Sequence, residues 1–154
     1  MNLERSENLG VSADGYLHGF TPREMAEKVA AQLEAIGLVK NFAPLIVLIA
    51  HGSSSTNNTH FSAYDCGACS GKPGSPNGRA FAKMANRPDV RRQLLEMGIK
   101  IPETTSFVAA LHDTTRDEVK FFDLREASET AREQVAEFYR KLKRALVHNA
   151  QERC

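Results

Sequence analysis

The 154-residue sequence predicts an α/β domain, a layered fold with a mostly parallel sheet flanked by helices. Three observations carry that expectation. Two apolar runs, 44–50 and 106–111, lack alternation, as strands buried on both faces of a parallel sheet do. Segments with apolar residues at helical spacing precede and follow them, Met25, Val29, Leu33 and Ile36 in one and Val135, Phe138, Leu142 and Leu146 in the other. The order helix, strand, helices, strand, strand, helix is that of a layered α/β arrangement.

Along the chain, residues 1–19 contain Gly10, Gly15 and Gly19 and little apolar periodicity, so they read as a loosely ordered leader before a single domain over 20–154. Thr21, Pro22 and Glu24 combine an N-cap, a first-turn proline and a capping-box glutamate, and Gly37 supplies the stop of the first helix. The run 44–50 then predicts a strand ending at His51-Gly52. From there to Asn77 the composition is Ser, Thr, Asn, Gly and Pro, a loop of about 26 residues, and loops of that length in compact domains are usually functional or disordered. Helices are predicted over 79–85 and 88–97, the second begun by Pro88 and ended by Gly98. Strands follow over 106–111 and 119–124, and a long amphipathic helix over about 128–148.

Composition excludes several functional classes. Twenty Lys and Arg against 19 Asp and Glu leave a formal charge of +1, which offers no basic excess for nucleic acid or an anionic membrane surface. A hydrophobic content of 42% argues against disorder. The longest apolar stretch, 42–50, is broken by Pro44 and falls far short of the roughly 20 residues that span a bilayer as a helix. The N-terminus lacks the apolar core of a secretory signal. Three cysteines, an odd number, point to thiols or metal ligands in a reducing cytoplasm.

Chemistry concentrates after the two apolar runs. Ile49-Ala50-His51 and Ala110-Leu111-His112 end alike, and ligands of open α/β sheets bind outside the carboxyl ends of strands, so both imidazoles could face one cleft under the polar loop. That loop holds Asp65-Cys66-Gly67-Ala68-Cys69, where the Cys66 thiolate and the His51 imidazole suit zinc, with His60 as a further donor. His60 and His112 also read as ordinary hydrogen-bonded structural histidines. The Cys66-x-x-Cys69 pair lacks both the second pair of a zinc ribbon and the helix that lowers a thiolate pKa in thiol redox sites, which argues against redox catalysis. Cys154 reads as inert at the frayed end of the last helix, and Arg91-Arg92 and the basic run 140–144 as solvated faces. No nucleophile elbow and no P-loop is present.

The series His51-Gly-Ser-Ser-Ser-Thr-Asn-Asn58, Ser62-Ala-Tyr-Asp-Cys-Gly-Ala-Cys69, Pro76-Asn77-Gly-Arg79-Ala80, Met84-Ala-Asn86 and Leu111-His112-Asp-Thr-Thr115-Arg-Asp-Glu118-Val119 closely resembles the DabA family of inorganic carbon transporter subunits. The resemblance runs from about Gly19 to the end of the sequence. It implies a β-carbonic-anhydrase-like fold around a zinc centre, with His51 and Cys66, fifteen positions apart, as its second half. The first half in the family is a Cys-x-Asp-x-Arg element, and no Cys-x-Asp occurs here. A catalytic zinc site keeps three protein ligands and a water, so two ligands imply a site that is incomplete and inactive alone. For whole family members the implied activity is zinc-dependent hydration of carbon dioxide to bicarbonate. The implied partner is a membrane-embedded, cation-translocating DabB-like subunit related to the proton-translocating subunits of respiratory complex I. The implied location is peripheral, on the cytoplasmic face of the cell inner membrane. The alternative is a non-catalytic zinc-binding or assembly module, its structural site completed by Cys69, His60 or His112 or by a second chain.

Overall fold

A computed structural model describes residues 1–5, 13–15, 17–55 and 57–153. The elements in chain order are α1 (Pro22–Ala35), β1 (Leu45–Gly52), α2 (Phe61–Tyr64), a 3₁₀ turn (Gly67–Cys69), α3 (Ser75–Ala85), α4 (Pro88–Glu96), β2 (Ser106–Asp113), β3 (Glu118–Phe121) and α5 (Glu129–Arg153). The α/β class holds. The polar loop is shorter than its composition implied, because it contains α2 and the 3₁₀ turn and gives way to α3 already at Ser75. Both apolar strands continue through the histidine that follows them, so His51 and His112 are strand residues. None of the described helices is long and apolar enough to cross a membrane.

The three strands form one sheet in the order β1-β2-β3. Ser106 N–H donates to Pro44 O at 2.8 Å and Thr114 N–H to Gly52 O at 2.9 Å. Both residue numbers rise together between these two bonds, so β1 and β2 run parallel. Strands β2 and β3 pair antiparallel, with Ala110 opposite Phe121 and Asp113 opposite Glu118. Burial follows position in the sheet. Central β2 buries Phe107, Val108, Ala109 and Ala110. β1, which the sequence predicts to be buried on both faces, is only half-buried, with Ile49 44% exposed, because it stands at the sheet edge with one flank covered.

The chain divides into two compact units, Met1–Ile46 with Ala80–Phe107 and Val47–Arg79 with Val108–Cys154. In the first, α1 and α4 pack on each other through the fully buried Met25, Val29, Leu33, Val90 and Leu94. The capping box at α1 is complete: Glu24 N–H donates to Thr21 Oγ1 at 3.2 Å, and Thr21 N–H donates to Glu24 Oε2 at 2.7 Å. Both helices end in the same six-to-one turn. Leu38 N–H reaches Leu33 O and Ile99 N–H reaches Leu94 O, each at 2.8 Å, over Gly37 and Gly98 at positive φ. Ile36 falls on the C-cap and is exposed, leaving the apolar stripe the sequence assigned it to. Of the leader expected over 1–19, residues 6–12 and 16 lie outside the described residues. Its start is tied down by Glu4, which bridges Phe20, and by Arg5, which pairs with Glu24 at 2.8 Å.

Asn86, at the end of α3, does for the first turn of β2 what a neighbouring strand would do. Its Nδ2 donates to Phe107 O at 2.7 Å and its Oδ1 accepts Phe107 N–H at 2.9 Å. The guanidinium of Arg91 gathers the carbonyls of Ala85, Pro102 and Thr105 around the same corner, and burial holds its pKa below the ordinary guanidinium value. Arg91 is thus structural, where the sequence read it as a solvated face.

In the second unit, α5 packs on β3. The rings of Phe138 and Tyr139 meet Phe121 edge-on at 6.2 and 5.5 Å between centroids, and Ala131 and Val135 are buried. Gly52 is buried, and a Cβ there would come within 2.9 Å of Leu111 Cδ1, so a larger residue has to displace the end of that side chain.

Replacing Asn86 with Ala leaves a buried N–H and C=O of Phe107 unpaired, and is expected to lower the free energy of urea unfolding by ~2–3 kcal/mol.

Candidate functional site

His51 lies one residue before the end of β1, exposed, with Nε2 2.8 Å from the carbonyl of Tyr64. A carbonyl only accepts, so Nε2 carries the proton and Nδ1 of the neutral ring keeps its lone pair. Ring nitrogens held by a carbonyl in this way occur in structural histidines and in metal-ligating ones alike. The bond also closes the loop from His51 to Tyr64, which sits immediately before Asp65 and Cys66.

Asp65 anchors the same loop and was not singled out from the sequence. Its carboxylate is buried, 7% exposed, and Oδ1 accepts the N–H of Ser53 at 3.3 Å and of Cys66 at 3.1 Å. One oxygen thereby holds the backbone just after His51 against the backbone of Cys66. The only sequence signal for this role was its place beside Cys66 in the stretch shared with the DabA family. Two further bonds shape the loop. Ser53 Oγ and Thr115 Oγ1 lie 2.6 Å apart, and Asp113 Oδ1 accepts the N–H of Ser54 at 3.1 Å. Burial acts to raise the Asp113 pKa, but the bonds from Ser54, Thr115 and Arg116 outweigh it and leave the carboxyl below the usual range.

The sulfurs of Cys66 and Cys69 are joined as a disulfide. The sequence points to thiols. The 3₁₀ turn Gly67–Cys69 brings the two Cα atoms to 5.1 Å, within the span a disulfide bridges. A bonded cysteine ligates metal only after reduction to the thiolate.

His112 does not share the partners of His51. Its Nε2 bonds Asp117 Oδ1 at 2.8 Å, and Arg153 at the end of α5 bonds Asp117 Oδ2 at 2.5 Å. The His112 bond, with the Arg153 guanidinium adding to it, holds the Asp117 carboxyl below the usual carboxylate range. The backbone N–H of His60 donates to Asn58 Oδ1 at 2.9 Å. Arg79 forms a bidentate pair with Asp123, both bonds 2.7 Å, under the ring of Phe122. Cys154 lies outside the described residues.

By donor type, Nδ1 of His51 at the end of β1 and, once reduced, the sulfur of Cys66 on the loop that follows are each groups that zinc can accept. Among the described residues no group of three His, Cys, Asp or Glu side chains converges as a metal site.

Two outcomes check this bracing. Asp65→Ala removes an acceptor shared by two N–H groups, and is expected to destabilise the loop by ~1.5–3 kcal/mol and to speed hydrogen exchange at the Ser53 and Cys66 amides. The depressed Asp117 carboxyl contributes stability above its unfolded pKa of about 3.9, and that contribution is lost as pH falls through the lower folded value. An NMR titration should place its midpoint below about 3.9 in the native protein, and closer to it in His112→Ala.

Comparison with known proteins adds identity to this geometry. The sequence profile of the family described as "Probable inorganic carbon transporter subunit DabA" matches residues 1–154. A protein of that name from Azotobacter vinelandii is 49% identical over 140 residues, covering 91% of this chain and 17% of the relative. One from Methylococcus capsulatus is 49% identical over 136 residues, 88% of this chain and 13% of the relative. One from Nitrosospira multiformis is 56% identical over 113 residues, 71% of this chain and 12% of the relative. The chain thus spans less than a fifth of the length of these relatives. No solved structure matches it. A profile match over the whole sequence, with 49% identity over 140 residues to one member, establishes that the chain belongs to the DabA family.

Proposed function

We propose that these residues form part of an inorganic carbon uptake subunit and carry half of a β-carbonic-anhydrase-like zinc site. The observation that carries the reading is the family match across the segment holding His51 and Cys66. Zinc, when bound, would supply Lewis acidity and a water acidic enough to lose a proton near neutral pH, the chemistry that hydrates carbon dioxide.

This chain's own contribution is to hold two ligands. The Tyr64 carbonyl fixes the tautomer and orientation of His51, and the Asp65 carboxylate fixes the backbone of Cys66. Cys66 serves once its bond to Cys69 is reduced. The remaining ligands, in a Cys-x-Asp-x-Arg element, come from sequence outside these 154 residues or from a companion chain. The assembled subunit works with a membrane-embedded, cation-translocating DabB-like partner and lies peripherally on the cytoplasmic face of the inner membrane.

One observation favours a second reading. Cys66 and Cys69 stand together on one turn, the arrangement of a chelating pair in a structural zinc site, which His51 and His60 or His112 would close.

Metal analysis and a carbon dioxide hydration assay on the reduced chain separate these. The half-site reading expects weak zinc binding lost in His51→Ala and Cys66→Ser, retained in Cys69→Ser, with no turnover. Stoichiometric zinc with turnover abolished by His51→Ala overturns it. Tight zinc without turnover, lost in Cys69→Ser, establishes the structural site instead.

A further inference from the structure

We propose that the outer edge of β1, at Val47 and Ile49, is a docking site for another β-strand. Its occupant is a strand from the part of DabA-family subunits that these 154 residues do not span. The inference rests on the family membership and on the sheet, and is independent of zinc.

The backbone of β1 sorts itself by parity. Pro44 O and Gly52 O accept N–H groups at the two ends of β2, so even-numbered residues of β1 turn their N–H and C=O toward β2. Odd-numbered residues turn theirs away. Of these, His51 has an outward partner, since its carbonyl accepts Gly74 N–H at 2.9 Å. Val47 and Ile49 have no outward backbone partner among the described residues.

The side chains lead the same way. An exposed edge strand is normally defended by charge, proline or a bulge, because its free N–H and C=O groups recruit other strands. Here the segment Ile46-Val47-Leu48-Ile49-Ala50 carries no charge and no proline, and Ile49 is 44% exposed. It has the unalternating apolar character of an internal strand while standing at an edge. An extended segment satisfies alternate donors and acceptors along such an edge, as a helix or a loop does not.

Two considerations select the occupant. The open edge is short, bounded on its C-terminal side by the His51–Gly74 bond, and so brief an overlap is far smaller than a stable dimer interface between two copies requires. A strand belonging to the same subunit needs no such area, because linkage raises its effective concentration at the edge. The relatives supply the material, since more than four-fifths of each lies outside the matched segment.

Residue-resolved hydrogen exchange on this chain and on the full-length Azotobacter vinelandii relative tests the proposal. In this chain the amides of Leu48 and Ala50, facing β2, should be protected, and those of Val47 and Ile49 should exchange freely. At the aligned positions of the relative, the Val47 and Ile49 amides should exchange at least about 100-fold more slowly. Free exchange at those two positions in the relative overturns the proposal. Protection already present in this chain, together with a dimeric mass in sedimentation, assigns the edge to a second copy and overturns it equally.

Discussion

The burial of β2 is the constraint on which the rest depends. A strand whose residues 107–110 are all buried must pair each N–H and C=O with something other than water. β1 serves one flank in parallel, from Pro44 to Gly52. β3 serves the other flank antiparallel, from Asp113 back to Ala110, and Phe122 extends it to the carbonyl of Ala109. Beyond that point β3 has ended, and the Asn86 side-chain amide takes over at Phe107. The position of α3 follows from this need as much as from its own apolar face.

The same economy of backbone pairing builds the loop after β1. Its composition offers almost nothing apolar to bury, so its shape rests on the Cys66–Cys69 bond and on hydrogen bonds: His51 to Tyr64, Asp65 to Ser53 and Cys66, Ser53 to Thr115, and Asp113 to Ser54. A buried carboxylate accepting two N–H groups is worth more than a neutral acceptor in that place. The result is a braced loop of small polar residues between His51 near the end of β1 and Cys66.

Much of the fold was legible in the residues. The capping box at Thr21 and Glu24, the stops at Gly37 and Gly98 and the proline start at Pro88 are local chemistry, decided within a few residues, and each stands where the sequence put it. The two apolar strands were legible for the same reason. Their pairing partners were not, because an unalternating run such as 45–50 records the environment a strand is suited to rather than the neighbours it has. His51 and Cys66 stand out in the sequence as residue types that zinc accepts, whereas the groups that hold them in place do not. Asp65, Asp117 and Asn86 act through partners up to 36 positions away, and a lone Asp or Asn in a polar stretch carries no mark of that.

The sequence by itself determined the elements, the α/β class, the family and the residue types able to bind metal, since these rest on spacing, local hydrogen bonding and an uninterrupted series of matched polar residues. Tertiary structure alone decided the rest. It placed β1 at an edge, paired β3 antiparallel, joined Cys66 to Cys69, turned His112 to Asp117 and gave the loop its buried carboxylate. Those outcomes depend on which groups the folded backbone brings within bonding distance of one another, and no pattern of residue types encodes that distance.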